Sequence, residues 1–432
     1  MVTHSKQKSA VRRRMSGARL FAGVCPAFCS TMKARAMTDR HLITSAVVVS
    51  LTSLMIPVGP HDLLAQTGSG GNWQEFALWP TTDDQEAPDI YGNIIAWQQF
   101  VYEYGDYDIY VADMNDLADP LVLVIGDSND QTNPVIYENI VAWQDYVVWE
   151  DSADWDIRAA DISDQTDPQV FAVSNLAYND EQKPAIHGNT VVWEDGNAGD
   201  IHIYGADITD PNNPTEFLIA GFELDQQRPA IYRTTVVWQD NFFGDWDIFG
   251  ADIWQRNKPV EFSVSLVEHD QENPAIWGQV VLWQDNFFGN WDIYAADISR
   301  PGSPVEFAIT TNDSSQTNPD IAGSIVVWQD YRNNNWDIFG YNLTTRHEFQ
   351  ITDNPYDQTT PAISGNVVVW QDNRTGNWNI YAVVLDGPEV AQCQSELAGD
   401  VNGDCKIDFT DLAITASHWL ECGLEPEEAC WQ

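Results

Sequence analysis

Pro361-Ala362-Ile363-Ser364-Gly365-Asn366-Val367-Val368-Val369-Trp370-Gln371-Asp372-Asn373-Arg374-Thr375-Gly376-Asn377-Trp378-Asn379-Ile380-Tyr381 decides the architecture of this chain. Gly365-Asn366 separates two apolar stretches, which is a strong hairpin signal. Asp372 to Gly376 is a second turn, and Trp378 to Tyr381 starts a third strand. A fourth strand of Glu-Phe-x-Ile/Val type follows in other copies, as at Glu306-Phe307-Ala308-Ile309. The short, β-branched and aromatic strands suit a buried, twisted sheet.

The unit recurs. Its central tryptophans are Trp97, Trp143, Trp193, Trp238, Trp283, Trp328 and Trp370. An Asp-Gln-x-x-Pro-like stretch precedes each, ending at Pro88, Pro134, Pro184, Pro229, Pro274, Pro319 or Pro361, and reads as a turn ahead of the first strand. Four-stranded units at a period of about 45 residues predict a β-propeller. The ends of the array agree. Glu75-Phe76-Ala77-Leu78-Trp79 is a fourth-type strand standing before the first full unit, and the last unit lacks one after Leu385. The N-terminal strand should therefore complete the last of seven blades and remove an open edge. A linear stack of the same units is the alternative.

The repeat resembles the TolB-like propeller repeat, whose members carry a Pro, a Ser-x-Asp-Gly turn, an apolar strand, an Arg-x-Gly turn and Asp-Ile-Tyr. The resemblance covers residues 73–386. It departs where Gly-Asn replaces Asp-Gly, and in the third unit, where Ile201-His202-Ile203-Tyr204 replaces Trp-Asp-Ile-Tyr. It implies a propeller in a secreted or periplasmic setting and no single activity.

Residues present in every unit read as packing residues, above all the tryptophans. The Asp after each Trp-Gln or Trp-Glu begins a loop: Asp145, Asp195, Asp240, Asp285, Asp330 and Asp372. A second set, Asp84, Asp130, Asp180, Asp225, Asp270 and Asp357, would share that face. Capping of their own turns is the favoured reading for both. The loop tips differ between units, and differing residues are where binding specificity resides. Trp149, Phe242, Phe243, Phe287, Phe288, Tyr331, Arg332 and Arg374 are the candidate ligand-binding residues. Aromatic rings flanked by Asp and Asn suit stacking on sugar faces or a protein partner, with packing against adjacent loops as the equal alternative.

Beyond Pro388 the pattern changes. Asp400, Asn402, Asp404, Asp408 and Asp411 place oxygen donors at positions 1, 3, 5, 9 and 12 of a loop, with the Lys406 carbonyl at position 7. That is the calcium-loop spacing of EF-hands, so Ca2+ is the expected cofactor. Phe409, Leu412, Ala413, Ala416, Trp419 and Leu420 follow at helical spacing. The segment resembles half of a dockerin module. Dockerins carry two such loops and a Gly at position 6, where this chain has one loop and Cys405. The resemblance implies attachment to a cohesin-like receptor. Cys393, Cys405, Cys422 and Cys430 read as two disulfides with the pairing open.

Among 432 residues there are 65 Asp and Glu against 20 Lys and Arg, a net charge of −45. The surface should repel phosphate backbones and anionic lipid, which argues against nucleic acid. The basic residues concentrate in a leader, 1–66, containing an apolar run over 42–58 that reads as a secretory signal, with a retained anchor as the alternative. The expected organisation is leader 1–66, Gly/Ser linker 67–72, propeller 73–386, linker 387–398 and disulfide-stapled calcium module 399–432. No nucleophile elbow, zinc-protease or phosphate-loop motif is present, and no catalytic residue is assigned. The sequence thus predicts an all-β, monomeric, secreted or surface binding propeller for polysaccharide or an extracellular protein, without membrane insertion after signal cleavage. A carbohydrate-active enzyme with a dockerin-like tail is the alternative.

Overall fold

The computed structural model describes residues 45–49, 73–114, 122–148, 153–174, 179–197, 199–221, 224–300 and 302–386. The calcium loop, the four C-terminal cysteines, Trp149, both linkers and the rest of the leader lie outside the described residues. Seven antiparallel sheets follow one another along the chain. Blade five shows the plan with Gln271–Trp277, Val280–Asp285, Asp292–Asp297 and Val305–Thr310 paired in that order. The first strands of the other blades are Gln85–Tyr91, Gln131–Tyr137, Asp180–His187, Gln226–Tyr232, Gln316–Ala322 and Gln358–Ser364. Each lies against the first strands of both neighbouring blades, and the last lies against the first. The units therefore form a ring around a central channel, not a linear stack.

The ring closes as the unpaired ends of the array require. Phe76–Ala77 pairs with the third strand of blade seven, Phe76 opposite Ala382 and Ala77 opposite Tyr381. Trp73 fastens the junction, its indole N–H donating to the Asp386 carbonyl at 3.0 Å. At the outer edge of blade one, Ser45–Val49 pairs with Val122–Gly126. Part of the apolar run read as a secretory signal thus forms a strand, as Val-Val-Val favours, over an edge otherwise open.

One boundary differs from the sequence reading. The Asp-Gln-x-x-Pro stretch is not a turn ahead of the first strand, because each first strand begins at or before its Gln. The Pro has no N–H for the ladder and is accommodated in a bulge, as between Glu272 and Ala275. The residue before each Pro is left-handed: Ala87, Asn133, Lys183, Arg228, Asn273, Asn318 and Thr360 have φ between 48° and 53°. Such backbone costs roughly 1–3 kcal/mol at a non-glycine position and needs compensation. The side chain after each central Trp supplies it. Gln371, Gln98, Gln144, Glu194, Gln239, Gln284 and Gln329 each accept the bulge N–H of the next blade at 2.7–3.2 Å.

The core lies between neighbouring blades. Val237, Ile248 and Val264 of blade four pack with Ile276, Val281 and Trp283 of blade five in one cluster. The seven central tryptophans are at most 2% exposed. Trp283 stacks on Tyr294, directly across the ladder, at 6.5 Å. Its N–H donates to Asp285 at 3.3 Å, and Trp238, Trp328 and Trp370 repeat this with Asp240, Asp330 and Asp372. Replacing Trp283 by Ala should cost about 3–5 kcal/mol, read as a lower midpoint in denaturant unfolding.

Blade three departs from the pattern. Glu181 replaces the first-strand Gln of the other blades and is fully buried. One carboxyl oxygen accepts the Ser174 hydroxyl at 3.2 Å, and the carboxyl lies against that of Asp156. Burial, then the neighbouring Asp156 and Asp195, push its pKa far above the usual carboxylate range. The folded state therefore holds a proton that the unfolded chain releases near pH 4.5. Stability is fully present below that pH and declines as pH rises toward the folded pKa. Glu181→Gln should flatten this slope and stabilise the propeller at pH 8 by about 1–3 kcal/mol, with little effect at pH 4, as calorimetry at the two pH values would show.

Candidate functional site

The loops after the second strands and those before the first strands share one face, because Gln271 pairs with Asp285 at the end of its ladder. Both sets of loop aspartates are structural. Asp145, Asp195, Asp240, Asp285, Asp330 and Asp372 are at most 5% exposed. Asp240 accepts the Phe242 N–H at 2.9 Å, and Gly244 N–H closes the turn on the Asn241 carbonyl at 3.0 Å. The same pair of bonds recurs at Asp285-Phe287 and Asn286-Gly289. Asp145 is instead held by Arg158 at 2.6 Å, and Asp195 by Asn179 at 3.2 Å. The other set ties each blade to the one before it: Asp84, Asp130, Asp180, Asp225, Asp270 and Asp357 accept a backbone N–H there at 2.9–3.3 Å. Neither set stands as a ring of free carboxylates.

The capped turns present the tips. Phe242, Phe243, Phe287 and Phe288 are 47–64% exposed. Each pair is edge-to-face, with centroids 5.1 and 4.9 Å apart. Blades four and five are neighbours, so two copies of one apolar motif lie side by side. Tyr331 is 44% exposed and packs on Trp336. Arg332 and Arg374 are committed elsewhere. Arg332 pairs with Asp330 and Glu348 at 2.6 Å and lies over Phe339. Arg374 pairs with Glu75 at 2.8 Å and with Asp372, and covers Tyr381. Of the eight candidates, the structure pairs Phe242 with Phe243 and Phe287 with Phe288 on adjacent blades and draws the two arginines into the fold.

A cavity of about 350 Å³ opens in the channel, where the sequence allowed residues of distant blades to gather; of the channel candidates Arg228 and His269, it is lined by Arg228. The residues before the prolines form its rim, the seven prolines its wall, and Asp89 and Asp320 are part of its floor. Burial raises the pKa of Asp89 to about 7 and that of Asp320 to about 6. Each also accepts a backbone N–H from the next blade, Ile136 at 2.7 Å and Ile363 at 2.8 Å. Beyond the floor, the first strands end in an aromatic arc, Tyr91, Tyr137, His187, Tyr232 and Trp277, with centroids 4.5–5.1 Å apart. Trp277 packs against core clusters on several sides of the channel and narrows it. The available signal in the sequence was the fixed register of the seven prolines. Asp320→Ala should remove the tie to Ile363 and cost about 1–3 kcal/mol of stability for the backbone group left unpaired, read as a lower unfolding midpoint.

No protein-family model matches the chain, and no curated protein does. Solved structures do. An oligogalacturonate lyase from Vibrio parahaemolyticus is similar at 11% identity and TM-score 0.56, over 75% of this chain and 96% of that one. A puromycin-hydrolyzing peptidase from Mycobacterium tuberculosis is similar at 13% identity and TM-score 0.51, over 68% of this chain, which spans about half (51%) of its length. A TolB from Acinetobacter baumannii reaches 14% identity and TM-score 0.41, over 59% of this chain and 62% of that one. At such identities the likeness to the lyase and the peptidase extends to the propeller fold alone.

Proposed function

We propose that the chain is an exported binding propeller that holds a polysaccharide across the loop face of blades four and five. The observation that supports this is the side-by-side repetition of two exposed phenylalanine pairs on identical capped turns. Rigid turns present the rings without a large ordering cost, and a polymer of repeating sugars meets two equivalent stacking surfaces. The net charge of −45 favours a neutral or weakly charged polymer over a strongly anionic one. In this reading the segment 400–411 binds Ca2+ and serves as an attachment tail for a cohesin-like receptor.

A polysaccharide array, probed with the exported chain in calcium and in chelator, tests this. Bound protein without loss of the immobilised polymer is expected. Phe242→Ala with Phe287→Ala should weaken binding at least about tenfold, roughly 1.4 kcal/mol, with the unfolding midpoint unchanged. Loss of polymer from the array would instead identify a carbohydrate-active enzyme. Binding unaffected by the double variant would sink the proposed face.

The tail is tested separately, by titrating Ca2+ into the whole chain in a calorimeter. Saturable heat is expected, and it should disappear in Asp400→Ala with Asp404→Ala.

A further inference from the structure

In a chain of net charge −45, the only basic residues lining the channel cavity among the described residues are Lys183 and Arg228. They occupy the same bulge position on adjacent blades three and four. Neither forms an ion pair among the described residues, whereas Arg158, Arg256, Arg332 and Arg374 all do. Lys183 donates to the Asn133 amide oxygen at 3.3 Å. Arg228 is exposed, and its backbone N–H is held by Glu194 at 2.7 Å. The head groups thus sit at the rim on a fixed backbone.

The other side of the cavity differs. Asp89 and Asp320 belong to blades one and six, which flank blade seven. In a seven-membered ring, blade seven lies opposite the junction of blades three and four. Two carboxyls at the floor therefore face two cations at the rim. Asn133, Asn273, Asn318 and Thr360 supply neutral hydrogen-bonding groups around the rim, and the proline rings supply apolar walls. The volume, about 350 Å³, lies at the lower end of the range for small-molecule sites, roughly 300–1,000 Å³.

We propose that this cavity binds a monosaccharide-sized sugar acid, its carboxylate against Lys183 and Arg228 and its hydroxyls toward Asp89 and Asp320. The Glu194 carboxyl lies near both cations and offsets one of their two charges, so the rim matches one further negative charge. A second at the floor would meet the two carboxyls. Hydroxyl donors suit these groups better than a cation does, because burial disfavours their charged form. The proline walls accept the apolar face of a sugar ring. This site is separate from the phenylalanine tips, so it stands or falls independently of polymer binding there.

The experiment uses the whole chain and glucuronate as probe, with glucose as the neutral counterpart, by calorimetric titration. Saturable glucuronate binding, at least about tenfold tighter than glucose, is expected. Lys183→Met with Arg228→Met should remove that preference, while Lys258→Met, outside the cavity, should leave it intact. A second measurement needs no variant: glucuronate should slow acylation of Lys183 by acetic anhydride and leave the exposed Lys258 unprotected. Equal affinity for the two sugars, no heat with glucuronate, or unprotected Lys183 would each overturn the proposal.

Discussion

One hydrogen bond, repeated at every blade junction, holds the ring together. The side chain after the central Trp reaches the N–H of the left-handed residue before the Pro of the next blade. Proline removes a ladder donor, the bulge turns the preceding N–H away from its own sheet, and the neighbouring blade accepts it. The strain at one blade is offset by the blade before it, so the bond needs an adjacent blade at every position. Phe76–Ala77 completes the last blade, whose Gln371 then holds Ala87 at 3.0 Å.

The same bond places the cavity. A left-handed residue before each Pro directs seven variable side chains to the rim, so the backbone is conserved around the ring while the chemistry is free to change. Blades three and four place Lys183 and Arg228 there, and the others place Asn, Thr or Ala. A structural device that must repeat thus carries a site that need not. The outer loops follow this logic too. Asp240 and Asp285 cap turns of one geometry, and the residues next to the cap are open to Phe242, Phe287, Arg332 or Arg374.

The acidity of the chain divides by burial. Many of its carboxylates are internal fasteners that accept backbone N–H groups, and this lets Asp stand at fixed positions without a basic partner. Glu181 is an exception, as are Asp106 and Asp108, and it substitutes for an amide that could donate as well as accept. Fasteners of this kind explain why neither apparent ring of acidic residues stands free: the first set is buried, and the second, half-buried or exposed, is tied to the blade before it.

The repeat by itself determined the seven blades, their four strands, the closing N-terminal strand and the burial of the tryptophans, because periodicity and turn chemistry are local and each blade needs the same packing. The phenylalanine tips were legible for the converse reason, being apolar residues in a turn with no core within reach. The fate of Arg332 and Arg374 was not legible. Glu348 lies sixteen residues from Arg332, and Glu75 lies at the far end of the propeller sequence from Arg374, so only ring closure brings the latter pair together. The cavity likewise exists only in the tertiary structure. Lys183 and Arg228 are 45 residues apart, and Asp89 and Asp320 are more than two hundred apart. A seven-fold ring alone converts those separations into neighbours and opposites.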